Sequence, residues 1–228
     1  MNPTIISKSQ FIRGKKCKKS LWLYRNKSDE RTPPSQKRQE IFDNGNLVGE
    51  LAQKMFPDGV LVAEDYTKIA EAIETTRAFV REGKKFVFES TASNKEGFFS
   101  RIDVLEKNED GSFNLIEVKS TESIRDYYLD DLALQAWAFI GEGYEIKKTI
   151  LMYLKKGTYK TISENSVPEQ IFQFEDVTEK VFERIDDVKK TGAELLDVLT
   201  QGEPFVKIGN YCDSPYECDF KEYCKGTS

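Results

Sequence analysis

The chain has 228 residues, 39% hydrophobic and 12% aromatic, with a net charge of −5 and no histidine. That is enough for one large domain with a buried core, and the missing histidine excludes Ser-His-Asp and Cys-His catalysis, HExxH zinc sites and histidine-based phosphohydrolases. No apolar run reaches the length of a membrane helix, and the opening MNPTIISKSQF lacks the apolar run of a secretory signal, so a cytoplasmic protein is expected.

Ser7 predicts an N-cap for a short helix over residues 8–12, and Leu21, Trp22 and Tyr24 fit a second one. Residues 1–38 hold eleven Lys and Arg against Asp29 and Glu30. They therefore carry +9, and the other 190 residues carry −14. A basic end on an acidic body is a candidate phosphate footprint, and Lys15, Lys16, Lys18 and Lys19 are its densest part. The same charge would also suit a solvated helix.

Residues 29–36, with Pro33-Pro34, read as a loop. Residues 39–56 read as an amphipathic helix broken or bent near Gly45 and ended by Pro57-Asp58-Gly59. A short strand over 59–63, a helix over 68–81 closed by Gly83 and a strand over 86–90 follow. Strands over 98–105 and 113–119 flank a polar link containing Asp110-Gly111, which is a hairpin signal.

Side chains alternate between faces along a strand. Glu117 and Lys119 therefore share a face, as do Arg101 and Asp103. If the hairpin forms, Asp103 and Glu117 converge beside Lys119. Two carboxylates and an ammonium can hold a hard divalent cation and act on a phosphodiester. An E-x-K triplet alone is common on any half-solvated strand, so the order of the remaining features decides its weight.

Residues 127–141 read as a strongly apolar helix, 146–155 and 170–174 as strands, and 179–199 as a long amphipathic helix. The pattern predicts an α/β fold with a small mixed sheet flanked by helices. The four cysteines lie near the ends: Cys17, then Cys212, Cys218 and Cys224 in a C-x5-C-x5-C array. In a cytosolic chain two disulfides are disfavoured. Four thiols suggest one tetrathiolate site stapling residue 17 to residues 212–224. Zinc ligands usually come in closely spaced pairs, so an iron–sulfur cluster suits this spacing better than zinc, although zinc and no metal stay open.

This ordered set resembles the PD-(D/E)XK nuclease superfamily, RecB-like branch, in its iron–sulfur form. It runs from an N-terminal cysteine through a glycine-bearing helix, Asp, E-x-K and a helical Gln to three C-terminal cysteines. The CRISPR-adaptation exonucleases and the AddAB nuclease domain belong to that form. FDNGNLVGELAQKMFPDG and PYECDFKEYC look closest to uncharacterised bacterial RecB-like nucleases. The resemblance covers essentially the whole chain, residues 1–228. It implies a restriction-endonuclease-like core over about 39–200 and a cluster lobe from about 7–30 and 205–226.

By resemblance, Asp103 and Glu117 are metal ligands, with the Val118 carbonyl as a third. Lys119 orients the attacking water, and Gln135 matches the glutamine of Q-x-x-x-Y. Cys17, Cys212, Cys218 and Cys224 would hold a [4Fe–4S] cluster. Two positions depart from the pattern. Gly49 stands where these nucleases carry a histidine, leaving Glu50 as the candidate helix ligand. Phe139 replaces the motif tyrosine, with Tyr127 and Tyr128 as substitutes.

The resemblance implies a Mg²⁺- or Mn²⁺-dependent deoxyribonuclease, with exonuclease action expected, in repair, recombination or defence. DNA and a helicase-type or CRISPR partner would be its binding partners. The alternative is a catalytically weakened nucleic-acid-binding module or a nuclease subunit of a larger complex.

Overall fold

The computed structural model describes residues 5–214 and 217–226. Pro215 and Tyr216 of the tail motif, and the ends of the expected domain at 1–4 and 227–228, lie outside the described residues. The chain opens with β1 (Ile6–Ser7), α1 (Lys8–Lys16) and α2 (Lys18–Asn26). Ser7 does cap α1. Its hydroxyl accepts from the Gln10 N–H at 3.2 Å, and Gln10 Oε1 accepts from the Ser7 N–H at 3.4 Å. Cys17 is the extended residue between the two helices.

Next come α3 (Gln36–Gln53), β2 (Val60–Leu61), α4 (Ile69–Arg81), β3 (Phe86–Ser93), β4 (Phe98–Lys107) and β5 (Phe113–Lys119). α3 runs through Gly45 without a break. One glycine costs a helix only about 1 kcal/mol, and Val48, Leu51 and Ala52 bury α3 against the sheet. Then follow α5 (Asp126–Glu142), β6 (Ile146–Leu154), α6 (Pro168–Ile171), β7 (Phe172–Asp176), α7 (Thr178–Phe182), α8 (Ile185–Thr200) and α9 (Lys221–Gly226). The single helix expected over 179–199 is two helices, divided at Glu183-Arg184.

The described strands form one mixed seven-stranded sheet, ordered β2-β3-β4-β5-β6-β7, with β1 added parallel to β4. It is larger than the small sheet expected, and its one unforeseen strand is β1, whose two residues are too short to show a period. β5 and β6 run parallel, joined by the crossover helix α5. One core cluster packs Phe98, Leu115, Leu132 and Phe139 with α1, α5 and α8 on one face. The second packs Val104, Ile116 and Met152 with α3 on the other.

Two irregularities in this sheet make room for a site. The β4–β5 pairs run from Lys107↔Phe113 to Val104↔Ile116 and stop there, so the next two residues, Asp103 and Glu117, face each other across a splayed end. The β3–β4 ladder skips the one pair in which Glu89 stands opposite Asp103. Glu89 has φ +54°, a left-handed conformation rare for a residue with a Cβ. Strain of that kind is costly and gathers at functional sites.

Candidate metal-binding carboxylates and a basic cleft

The structure brings Asp103, Glu117, Lys119 and Gln135 together. Asp103 Oδ2 accepts from the Val118 N–H at 2.6 Å. Glu117 is saturated. Its Oε1 accepts from Lys8 Nζ at 2.7 Å and Lys119 Nζ at 2.8 Å, and its Oε2 accepts from Gln135 Nε2 at 2.6 Å. Lys119 also donates to Asp131 Oδ2 at 2.7 Å, and Gln135 donates to the Arg101 carbonyl at 2.7 Å. Lys119 lies 4.7 Å from the Tyr128 ring centroid. The helix α5 supplies Tyr128, Asp131 and Gln135 at the i, i+3 and i+7 spacing of one face.

The electrostatics separate these groups. Burial, and then Glu117, push the Asp103 carboxyl up to about 8. Burial would also raise Glu117, but the Lys119 and Lys8 ammoniums outweigh it and hold its carboxyl below the usual range. Burial opposes the charge on Lys119, yet Glu117 and Asp131 raise its pKa. Lys119 is therefore a fixed ammonium, able to donate and orient but not to act as a base. Burial also raises Glu89, with Glu117 adding to the effect and Arg101 and Lys8 opposing it.

Asp103 gives the metal-free protein a specific pH dependence. Its folded pKa stands above the unfolded value near 4, so between these values the folded state holds a proton that the unfolded state has lost. The contribution is fully present below about pH 4 and is lost as pH rises through about 8. Asp103→Asn should remove that slope and stabilise the metal-free protein at pH 8 by about 1–3 kcal/mol. Urea midpoints of both proteins from pH 5 to 8.5 check it, and parallel curves would contradict it.

A cleft of about 1160 Å³ runs from this cluster toward the cysteines. Lys8 and Asp131 line one end, and Cys17, Cys212 and Cys218 the other. The lining also includes the cations Lys16, Arg38, Arg125 and Lys160 and the rings of Tyr24, Phe42, Tyr127 and Tyr159. Arg13 and Arg31 also face it, but Asp219 accepts from both, from Arg13 through two bonds at 2.6 and 2.9 Å.

The structure divides the basic stretch. Of Lys15, Lys16, Lys18 and Lys19, only Lys16 lines the cleft. Lys15 pairs with Asp130 at 2.6 Å, Lys18 with Glu194 at 2.9 Å and Lys19 with Glu203 at 3.0 Å. A helix spreads consecutive residues around its axis, so a run of lysines cannot share one face.

Cys17, Cys212, Cys218 and Cys224 all line one small cavity of about 20 Å³. Among the described residues, no three His, Cys, Asp or Glu side chains stand as a finished metal cage. The donor set itself fits a thiophilic group, since four thiols and no histidine converge. Burial raises the Cys17 and Cys224 thiols, and the other cysteines push them further up. Such mutual repulsion is relieved by a shared cation that displaces the protons.

Two resemblance-based positions do not join the cluster. Glu50 is exposed on α3 and makes no hydrogen bond or ion pair with the described residues. Phe139 is fully buried, packed 5.4 Å from the Tyr144 ring in the core. Tyr127 and Tyr128 do line the cleft, and the Tyr128 hydroxyl lies 3.2 Å from Thr121 Oγ1. The sequence reading does not find Lys8, Glu89 or Asp131. Glu89 had one signal, a lone acid inside the apolar run FVFES.

No family model matches the chain, and no curated protein matches it. Solved structures that bear a loose likeness to it include the following two. The crystal structure of SSO0001 has 12% identity and a TM-score of 0.32, over 70% of this chain and 88% of that one. A phage related exonuclease from Haemophilus somnus 129PT has 10% identity and a TM-score of 0.34, over 86% of this chain and 95% of that one. Likenesses this loose carry no argument about activity. Among the described residues, no helix is long and apolar enough to cross a membrane.

Proposed function

We propose that the protein is a divalent-metal-dependent nuclease that hydrolyses DNA phosphodiesters. The observation that carries this reading is the position of Asp103, Glu117 and Lys119 beside the end of a cleft lined by cations and aromatic rings. Phosphates suit the cations, and unpaired bases suit the rings. Asp103 and Glu117, with the Val118 carbonyl, would hold Mg²⁺ or Mn²⁺, which supplies Lewis-acid polarisation of the phosphate and activation of a water. Glu50 joins them only if α3 or its side chain moves.

The remaining roles belong to this chain's own groups. Lys119 keeps its proton and orients donors toward the reacting oxygens while Asp131 pins it. Gln135 fixes the carboxylate plane of Glu117. Tyr127 offers a stacking face at the cleft, and the buried Tyr128 ring packs beneath it against Lys119. By resemblance, the four cysteines would carry a [4Fe–4S] cluster, and the activity would serve repair, recombination or defence, alone or beside a helicase-type partner.

Incubation with labelled single- and double-stranded DNA in Mn²⁺, with EDTA as control, tests the reading. Metal-dependent cleavage is expected, and binding without cleavage would favour the weakened module.

The cleft also makes a prediction about binding. Replacing Lys16, Arg125 and Lys160 together by Gln should weaken single-stranded DNA binding in Ca²⁺ at every sequence. The slope of log K against log[salt] should shrink by about 2, at roughly 0.7 per lost phosphate contact. Replacing Lys15, Lys18 and Lys19 instead should leave the slope unchanged. Equal slopes for all three proteins would remove the cleft from the binding surface.

A further inference from the structure

Lys8 occupies an unusual place. It is the first residue of α1, where the helix dipole disfavours a cation, and the first turn of α1 holds no acidic residue. The compensation lies 109 residues away in sequence, where Lys8 Nζ meets Glu117 Oε1 at 2.7 Å. The charge of Lys8 acts on all three carboxylates, Glu89, Asp103 and Glu117. Lys119 already serves the same Glu117 oxygen at 2.8 Å and is pinned on its other side by Asp131.

The backbone under Lys8 is fixed. Ile6 and Ser7 pair with Phe98 and Phe99 of β4, and the Ser7 capping box closes the first turn of α1. The side chain is the part able to move. It is 27% exposed and lines the cleft. A dication bound to Glu117 Oε1 would face two ammoniums on one oxygen. Lys119 is held from two sides, so Lys8 is the one that can leave.

Resting on the nuclease reading, we propose that Lys8 is an exchangeable internal cation. Its ammonium neutralises the carboxylates until a divalent ion binds, and it then turns into the cleft to meet a nucleic-acid phosphate. The exchange balances charge on both sides. The dication replaces the ammonium at Glu117, and the ammonium finds an anion among the phosphates, so metal binding and nucleic-acid binding help each other.

Mn²⁺ titration of the full-length protein, followed by calorimetry, tests this in wild type, Lys8→Met and Lys8→Arg. Lys8→Met should bind Mn²⁺ about tenfold more tightly than wild type, yet bind a single-stranded oligonucleotide in Ca²⁺ more weakly. Lys8→Arg should stay close to wild type in both. An unchanged or weaker Mn²⁺ affinity in Lys8→Met would overturn the proposal.

Should Lys8→Met fail to fold, reductive methylation of the wild type followed by mass spectrometry decides. Labelling of Lys8 should rise severalfold on saturation with Mn²⁺, and an unchanged rate would overturn the proposal. Cleavage by wild type with an unchanged Mn²⁺ affinity in Lys8→Met would end this proposal alone. Tighter Mn²⁺ binding in Lys8→Met with no cleavage by wild type would end the nuclease reading alone. No Mn²⁺ binding by either protein would end both.

Discussion

Asp103→Ala and Glu117→Ala should each lower Mn²⁺-dependent DNA cleavage by about 10³-fold or more, the scale expected when one group that stabilises transition-state charge is lost. DNA binding in Ca²⁺ should survive in both, because the cleft cations lie outside the pair and a removed carboxylate no longer repels phosphate. The two variants should differ in stability. Asp103 is a carboxyl raised by burial, with one backbone donor, so its loss should leave the metal-free protein as stable or more so. Glu117 is the acceptor for Lys8, Lys119 and Gln135, and its loss takes an acceptor from three donors, two of them charged, and leaves the buried Lys119 with Asp131 as its one carboxylate partner. Glu117→Ala should therefore cost about 3–5 kcal/mol. Lys119→Ala should be inactive too but still bind Mn²⁺, because a protonated lysine offers no lone pair. Normal cleavage by either carboxylate variant would show that the site lies elsewhere.

The carboxylate pair was legible because it rests on local rules. The hairpin link and the alternation of β4 and β5 place Asp103, Glu117 and Lys119 within a span of seventeen residues. Gln135 entered through the resemblance, and the period of α5 places it with Tyr128 and Asp131 on one face. Lys8 and Glu89 were not legible, for physical reasons. Lys8 reaches the site because a two-residue strand pairs with β4, and two residues carry no period. Glu89 reaches it through a positive φ and a skipped ladder pair, which alternation alone does not foresee. The lysine run was legible as charge but not as direction: composition counts charge, while the helices decide which charges meet the cleft. The division of the C-terminal helix at Glu183-Arg184 was hidden because apolar spacing continues through it, from Val181 to Ile185 and Val188.

The other large effect is expected at the cysteines. If the four thiols hold the proposed cluster, Cys17→Ser should destabilise the protein as much as Cys218→Ser, by about 3 kcal/mol or more, because each would open the same staple between residue 17 and the tail. The double variant should then cost no more than either single one, since a site that has lost one ligand of a shared cluster has little further to lose. The damage should be local. The sheet and its two cores contain none of the described thiols except at their margin, while the tail is otherwise held through Asp219 by Arg13 and Arg31. Far-UV dichroism should therefore persist as the segment after α8 becomes sensitive to protease. Anaerobically purified wild type should be brown with broad visible absorption, and each serine variant should lose that colour. One equivalent of zinc in a colourless protein would keep the staple and replace the cluster. If the serine variants show additive losses, or melt like wild type, the four thiols are separate groups and not a shared site.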